Sequence, residues 1–282
     1  MLNNIEGEKN IEHGSDRDNA PQNNSNTIKD RQLNNSALFS DYIRRDNKRH
    51  EKTVEAVAEE KQQNGATARV GNNKQHEDNM QGDDKRYSDN KHRADFDVIG
   101  RIIPSKAHVL DLGCGSGDLL KLLVDEKRVT GFGVEMNEEN IISCVSKGLS
   151  VHHGNLESII DEYPDKTFDF VILSLTLQAV KNPHDVIGKM LKVGRKAIVS
   201  FPNFAYLPIR YQLAVKGCMP KTADLPYEWY NTPNIHLTTV KDFKNYCKDQ
   251  GICIQNEFYF GRMSGIGRFP NLLACEALFV IG

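Results

Sequence analysis

Val109-Leu110-Asp111-Leu112-Gly113-Cys114-Gly115-Ser116-Gly117-Asp118 is the stretch that decides the fold. An apolar strand runs into a Gly-x-Gly-x-Gly turn. A helix follows at once, with Leu119, Leu120, Leu122 and Leu123 at helical spacing. Glycines let a backbone turn tightly or left-handedly and approach a ligand with no side chain between them. A dinucleotide fingerprint has the longer spacing Gly-x-Gly-x-x-Gly, with the helix N-terminus facing a pyrophosphate. Here the spacing is shorter, and an acid, Asp111, stands in the strand end ahead of the glycines. Its charge repels a pyrophosphate and attracts the amino group of a methionine moiety. The expected ligand is therefore S-adenosylmethionine (or S-adenosylhomocysteine) rather than a nicotinamide dinucleotide, with a ligand-free glycine turn as the remaining alternative.

Outward from this turn, strand and helix patterns alternate. Strands are predicted at 107–112, 129–135, 149–153, 168–174, 196–201, 253–260 and 275–281, with the strongly apolar 168–174 in the centre. Helices are predicted at 117–125, 138–147, from Pro183 to Leu191, and through Gln250 behind a Thr239/Asp242 capping box. The alternation predicts an α/β domain over 93–282. It is a Rossmann-like, parallel, doubly wound sheet of about seven strands, with the last two as a hairpin on a wide loop. Residues 202–238 break the rhythm with Pro202, Pro208, Pro220, Pro226 and Pro233 among tyrosines and Trp229. Such an insertion after a strand reads as a lid or a partner surface.

Glu135 closes the second strand 18 residues after Gly117, where a carboxylate can accept from both ribose hydroxyls. Asn155 follows the third strand. Its side-chain oxygen either accepts from the adenine amine or bonds its own backbone in a turn. Ser174 ends the fourth strand at the edge where open α/β sheets bind ligands. The expected ligand contacts are Asp111, Gly113, Cys114, Gly115, Gly117, Glu135, Met136, Asn155, Leu156 and Ser174. Tyr230 and His236 are the obvious acid–base candidates, and a structural or partner-contact role weighs more for both. His152, His153 and His184 belong to no constellation. Methyl transfer from a sulfonium needs in-line approach more than proton transfer, so the lack of a catalytic dyad neither excludes nor establishes it.

Residues 1–92 are rich in Asn, Asp, Glu, Lys, Arg and Gln, and too poor in apolar groups to offset the entropy of ordering. They are expected to be a disordered extension, with a thin amphipathic helix across 37–60 at most. A net charge of -2 over 282 residues gives no reason to expect nucleic acid as a partner. The six cysteines form no CxxC pair and have no His at zinc spacing, so no metal is expected. No leader or apolar run of membrane-spanning length is present, and a reduced cytoplasm with free thiols fits.

Val109 to Gly115 resembles the class I methyltransferase superfamily. Further stretches narrow the resemblance: Gly133-Val134-Glu135, Asp165-Lys166-Thr167-Phe168-Asp169, Ser174-Leu175-Thr176-Leu177-Gln178-Ala179-Val180, Ile198-Val199-Ser200-Phe201-Pro202-Asn203-Phe204, and the run from Leu225 to His236. Together they resemble the methionine-biosynthesis protein W (MetW) family. That resemblance implies a class I methyltransferase-like fold and a role beside homoserine O-acyltransferase, as a partner needed for its activity. It also implies donor contacts by Asp111, Gly113 and Gly115 and a ribose contact by Glu135. An active methyltransferase on a small molecule or protein is the alternative. Ser116 and Asn155 stand where the family usually has Asp, and 1–92 has no counterpart in its short members.

Overall fold

The computed structural model describes residues 93–261 and 266–282. The readings of 1–92 as disordered and of 37–60 as a helix lie outside the described residues.

Seven strands form one sheet: β1 (His108–Leu112), β2 (Thr130–Glu135), β3 (Ser150–His153), β4 (Phe168–Ser174), β5 (Gly194–Pro202), β6 (Ile254–Phe260) and β7 (Glu276–Ile281). Their order is β3-β2-β1-β4-β5-β7-β6, so β4 is central, as its composition predicts. Phe170 to Leu173 are all buried, which only a strand covered on both faces requires. Along β1 and β4 the side chains alternate between the faces. Val109, Phe170 and Ile172 pack with Ile99, Ile103, Leu119 and Leu123 in one core layer.

The first five strands are parallel, with α2 (Asp118–Lys127), α3 (Glu138–Ser146), α4 (Leu156–Ile159) and α5 (Pro183–Val193) on the connections. The sheet as a whole is mixed, and its antiparallel part is the end where the last two strands pair, as the hairpin expectation has it. β7 runs antiparallel to both β5 and β6. After α7 (Val240–Asp249), β6 forms the outer edge and leaves the place beside β5 open. Among its described residues the β6–β7 connection carries short helical turns and no crossover helix, and the chain returns as the predicted hairpin and fills that place. The capping box is formed: Thr239 Oγ1 accepts from the Asp242 amide at 3.1 Å and donates to its carboxylate at 2.6 Å.

Besides the short α4, other elements were not foreseen. Ahead of β1 lies α1 (Ala94–Ile102), which buries Ile99 against the core. Inside the insertion, α6 (Leu207–Tyr211) runs into a π-helical turn at Gln212–Lys216. Asn203, fully buried at the end of β5, ties down both roots of the insertion. Its Nδ2 donates to Ala274 O (2.8 Å), and its Oδ1 accepts from Ala205 N (3.1 Å) and Val240 N (3.3 Å). Among the described residues no helix is long and apolar enough to cross a membrane.

Candidate functional site

The chain leaves β1 for β2 and β3 on one side and then returns to β4 on the other, so the carboxyl ends of β1 and β4 form a topological switch point. That crevice is where open α/β sheets hold ligands. The glycine turn occupies it. Gly113, Gly115 and Gly117 all have positive φ (71°, 55° and 81°), which explains why glycine stands at each. They differ in surroundings. A Cβ on Gly113 would lie 2.9 Å from the Thr176 side chain, and one on Gly117 within 2.7 Å of Cys144 and Leu149. A Cβ on Gly115 would meet nothing within 4 Å, so this glycine borders open space.

The turn is held from two sides. The Gly115 N–H donates to Glu135 Oε2 (2.8 Å), while Glu135 Oε1 accepts from the Met136 and Asn137 amides (2.9 Å each). From α3, the Cys144 thiol donates to Gly115 O (3.3 Å) and Lys147 Nζ to Ser116 O (2.7 Å). An amide that a phosphate would need is thus already given to a carboxylate, and an anion is disfavoured. With three of about four lone-pair positions used, Glu135 retains acceptor capacity on Oε2 for a hydroxyl donor. The Cys114 and Cys144 sulfurs lie 3.9 Å apart, in space opened by Gly133 and Gly117. All six cysteines are free.

Asp111 is 2 % exposed and forms no hydrogen bond among the described residues. Burial pushes its carboxyl up to about 7; the Glu135 and Asp95 charges add to the rise, and the Arg93 guanidinium opposes it. Arg93 and Asp95, which the sequence reading passed over, complete the site. Arg93 Nε and Nη2 clasp Asp95 (3.0 and 2.6 Å), and Nη2 also donates to Ser174 Oγ at 2.9 Å. Ser174 Oγ donates to Asp95 Oδ2 (2.9 Å), so the predicted site residue Ser174 holds the start of the domain to the end of β4. Glu276, from β7, lies in the same field. Burial, then Asp95, push its carboxyl up to about 8 against the pull of Arg93, and its Oε1 is buried without a hydrogen-bond partner among the described residues.

The remaining predicted residues are placed less uniformly. Met136 is 68 % exposed beside Glu135, and Leu156 is half-buried at the start of α4. Asn155 Oδ1 accepts from Glu157 N (2.9 Å), capping α4, so the oxygen considered for adenine is engaged in the local turn. Asn155→Ala is expected to cost about 1 kcal/mol in urea unfolding, the usual loss of a cap, whereas Asn155→Asp keeps the acceptor and most of the stability. Tyr230 stands 70 % exposed against Trp229, and His236 Nε2 lies 3.3 Å from Lys181 O. Neither forms a hydrogen bond with Asp111. The insertion is nevertheless tied to the site, because Gln178 O, just past β4, accepts from the Ile235 and His236 amides (2.9 and 3.0 Å).

An acid at the end of β1, a glycine turn bordering open space and a carboxylate ending β2, on a sheet of this order, define a class I methyltransferase-like protein. Residues 93–281 match the family described as methionine biosynthesis protein MetW. The chain belongs to that family. A curated relative, the bifunctional methionine biosynthesis protein MetXA/MetW of Rhodopirellula baltica, is 37 % identical over 197 residues. The match takes in 65 % of this chain and 32 % of that one, so the chain spans about a third of the relative's length. Among solved structures, a SAM-dependent methyltransferase from Archaeoglobus fulgidus is 17 % identical, with a TM-score of 0.49 over 66 % of this chain and 93 % of that one. An S-adenosylmethionine-dependent methyltransferase from Mesorhizobium loti is 16 % identical, with a TM-score of 0.49 over 66 % and 95 % of the two chains.

Proposed function

We propose that this chain is an S-adenosylmethionine-binding partner of homoserine O-acyltransferase that adjusts the acyltransferase to the supply of the pathway's activated end product. Two carboxylates support the ligand. Asp111 is a buried acid with no hydrogen bond among the described residues, suited to an ammonium or sulfonium, and Glu135 keeps an acceptor for a ribose hydroxyl beside the open space at Gly115.

The observation that carries the partner half is the insertion. Val215, Trp229, Tyr230, Ile235 and Leu237 are each more than half exposed, all within one segment rooted at the carboxyl edge of the sheet. Exposed apolar groups gathered in this way mark interaction surfaces. The relative that joins MetXA and MetW in one polypeptide supports an acyltransferase as the occupant. Because Gln178 O holds the insertion to the loop after β4, ligand and partner surfaces share one connection.

The test is an acyltransferase assay with and without the full chain, across S-adenosylmethionine concentrations. Activity is expected to rise with the protein, and the size of the rise to depend on the ligand. Glu135→Lys is expected to remove that dependence. Acyltransferase activity indifferent to the protein would refute the proposal and turn the search to a methyl acceptor.

A further inference from the structure

Two thiols lie side by side beneath the glycine turn. The Cys114 and Cys144 sulfurs are 3.9 Å apart, one carried by the turn and the other by α3. Cys144 is fully buried and Cys114 nearly so, in a small apolar layer with Leu120, Leu149 and Val151. The chain leaves room for both sulfurs. A Cβ on Gly133 would lie 2.5 Å from Cys114 Sγ, and one on Gly117 2.7 Å from Cys144 Sγ. Cysteine as a small apolar filler accounts for the burial. It does not call for two sulfurs in contact, one of them donating to Gly115 O (3.3 Å). The hydrogen bond with Cys114, helped by the Lys147 charge and opposed by burial, holds the Cys144 thiol below its ordinary value.

We propose that Cys114 and Cys144 form a reversible thiol–disulfide switch, closed by peroxide, that sets the glycine turn for or against its ligand. The inference rests on the ligand reading above and adds its regulation. Peroxide reaches the pair through the open space at Gly115, whose carbonyl is bonded to Cys144. The Cys144 thiolate attacks one peroxide oxygen: an S–O bond forms, the O–O bond breaks, and the departing hydroxide takes a proton to become water. The Cys114 sulfur then attacks the Cys144 sulfur. The S–S bond forms, the S–O bond breaks, and the hydroxyl leaves with the Cys114 proton as a second water. Two thiols are oxidised and one peroxide is reduced. A disulfide needs the sulfurs at about 2.0 Å, so the turn is drawn toward α3 and Gly115 O loses its thiol donor. The Gly115 N–H is bonded to Glu135 Oε2 (2.8 Å), so the displacement also reaches the carboxylate offered to the ribose. The reduced turn receives the ligand and the oxidised turn does not.

The experiment treats the full chain with hydrogen peroxide and reads it in two ways. Alkylation and peptide mass spectrometry are expected to show Cys114 linked to Cys144. Calorimetric titration is expected to show S-adenosylhomocysteine bound at least tenfold more weakly than by the reduced protein. Dithiothreitol should restore both the thiols and the affinity, which it cannot do for a sulfoxide at the exposed Met136. Cys144→Ser keeps a donor for Gly115 O and is expected to make affinity insensitive to peroxide, whatever its starting value. Linkage requires the reverse effect as well: a tenfold preference of the ligand for the reduced form raises the midpoint potential of the pair by about 30 mV at saturation. No link between these two residues, a link without loss of affinity, or a loss that survives reduction would each overturn the inference and leave the ligand reading intact. Reduced protein that binds no S-adenosylhomocysteine would overturn the ligand reading itself, and this inference with it.

Discussion

Gly117→Ala is expected to lower the unfolding free energy by about 3 kcal/mol, and Gly115→Ala by only about 1 kcal/mol, although both replace a glycine of the same turn at positive φ. The backbone penalty is common to the two, at φ 81° and 55°. The difference is what the new methyl group meets. At Gly117 it would sit 2.6 Å from Leu149 and 2.7 Å from the Cys144 sulfur, in a packed layer with Cys114, Leu120 and Val151. Such a site relaxes only by moving its neighbours, which adds a packing cost to the backbone cost. At Gly115 it would enter open space. The consequences for binding run the other way. If that space is where the ligand lies, the Gly115→Ala methyl group displaces it, and affinity for S-adenosylhomocysteine is expected to fall at least tenfold in a protein that still unfolds cooperatively. Urea unfolding and calorimetry on the same samples separate the two effects. Unchanged affinity in Gly115→Ala would mean that the ligand does not lie over this glycine.

The parts of the site legible in the sequence are those made by local chain. The turn, its acid and the central strand are consecutive or nearly so, and their geometry follows from glycine's freedom and from apolar runs. The spacing to Glu135 is one strand–helix–strand unit, and the carboxylate is found holding the turn. The Thr239/Asp242 cap was legible for the same reason. Arg93 and Asp95 escaped notice because what defines them is 81 residues away, at Ser174, and nothing in their immediate sequence marks a buried ion pair. The one available signal was the helical spacing of Phe96, Ile99 and Ile103 behind them, which predicts a helix rather than a site. Glu276 is further removed: it reaches the cluster only because β7 runs backwards into the place beside β5. A strand's direction within a sheet is set by its connections, and the apolar run of β7 carries no mark of it.

The same distinction separates the two roles of asparagine here. Asn155 and Asn203 both directly follow strands or their turns, and both stand in recognisable motifs. Asn155 satisfies its own turn, a use its immediate neighbours permit. Asn203 bridges Ala205, Val240 and Ala274, segments spread over some seventy residues. It closes the base of the insertion, where Tyr206, Ile209 and Leu225 form a small buried cluster with Phe204 and Cys275, while Val215, Trp229, Tyr230, Ile235 and Leu237 stay exposed.

Binding of S-adenosylhomocysteine is expected to weaken about tenfold between pH 8 and pH 6, and Asp111→Asn to abolish that dependence. Burial, assisted by Glu135 and Asp95, holds the free protein's Asp111 at about 7, so the carboxylate that receives an ammonium is mostly present at pH 8 and mostly protonated at pH 6. A bound cation favours the ionised form, so binding near pH 7 releases a proton, and the heat measured should vary with the ionisation enthalpy of the buffer. Asp111→Asn keeps the shape, binds more weakly at pH 8 and loses both signatures. The stability of the free protein moves in the opposite sense. A carboxyl raised from 3.8 in the unfolded chain to about 7 in the folded one favours folding fully below pH 3.8. That contribution is lost as the pH rises through 7, on the order of 4 kcal/mol in all. Glu276, held at about 8, acts in the same direction over a slightly higher range. The ligand-free protein is therefore expected to melt at lower temperature at pH 8 than at pH 5.5, with ligand recovering most at the alkaline end, where its cation meets an ionised Asp111. A melting temperature that rises with pH, or affinity flat from pH 6 to 8, would mean that Asp111 is ionised in the free protein and already has a partner.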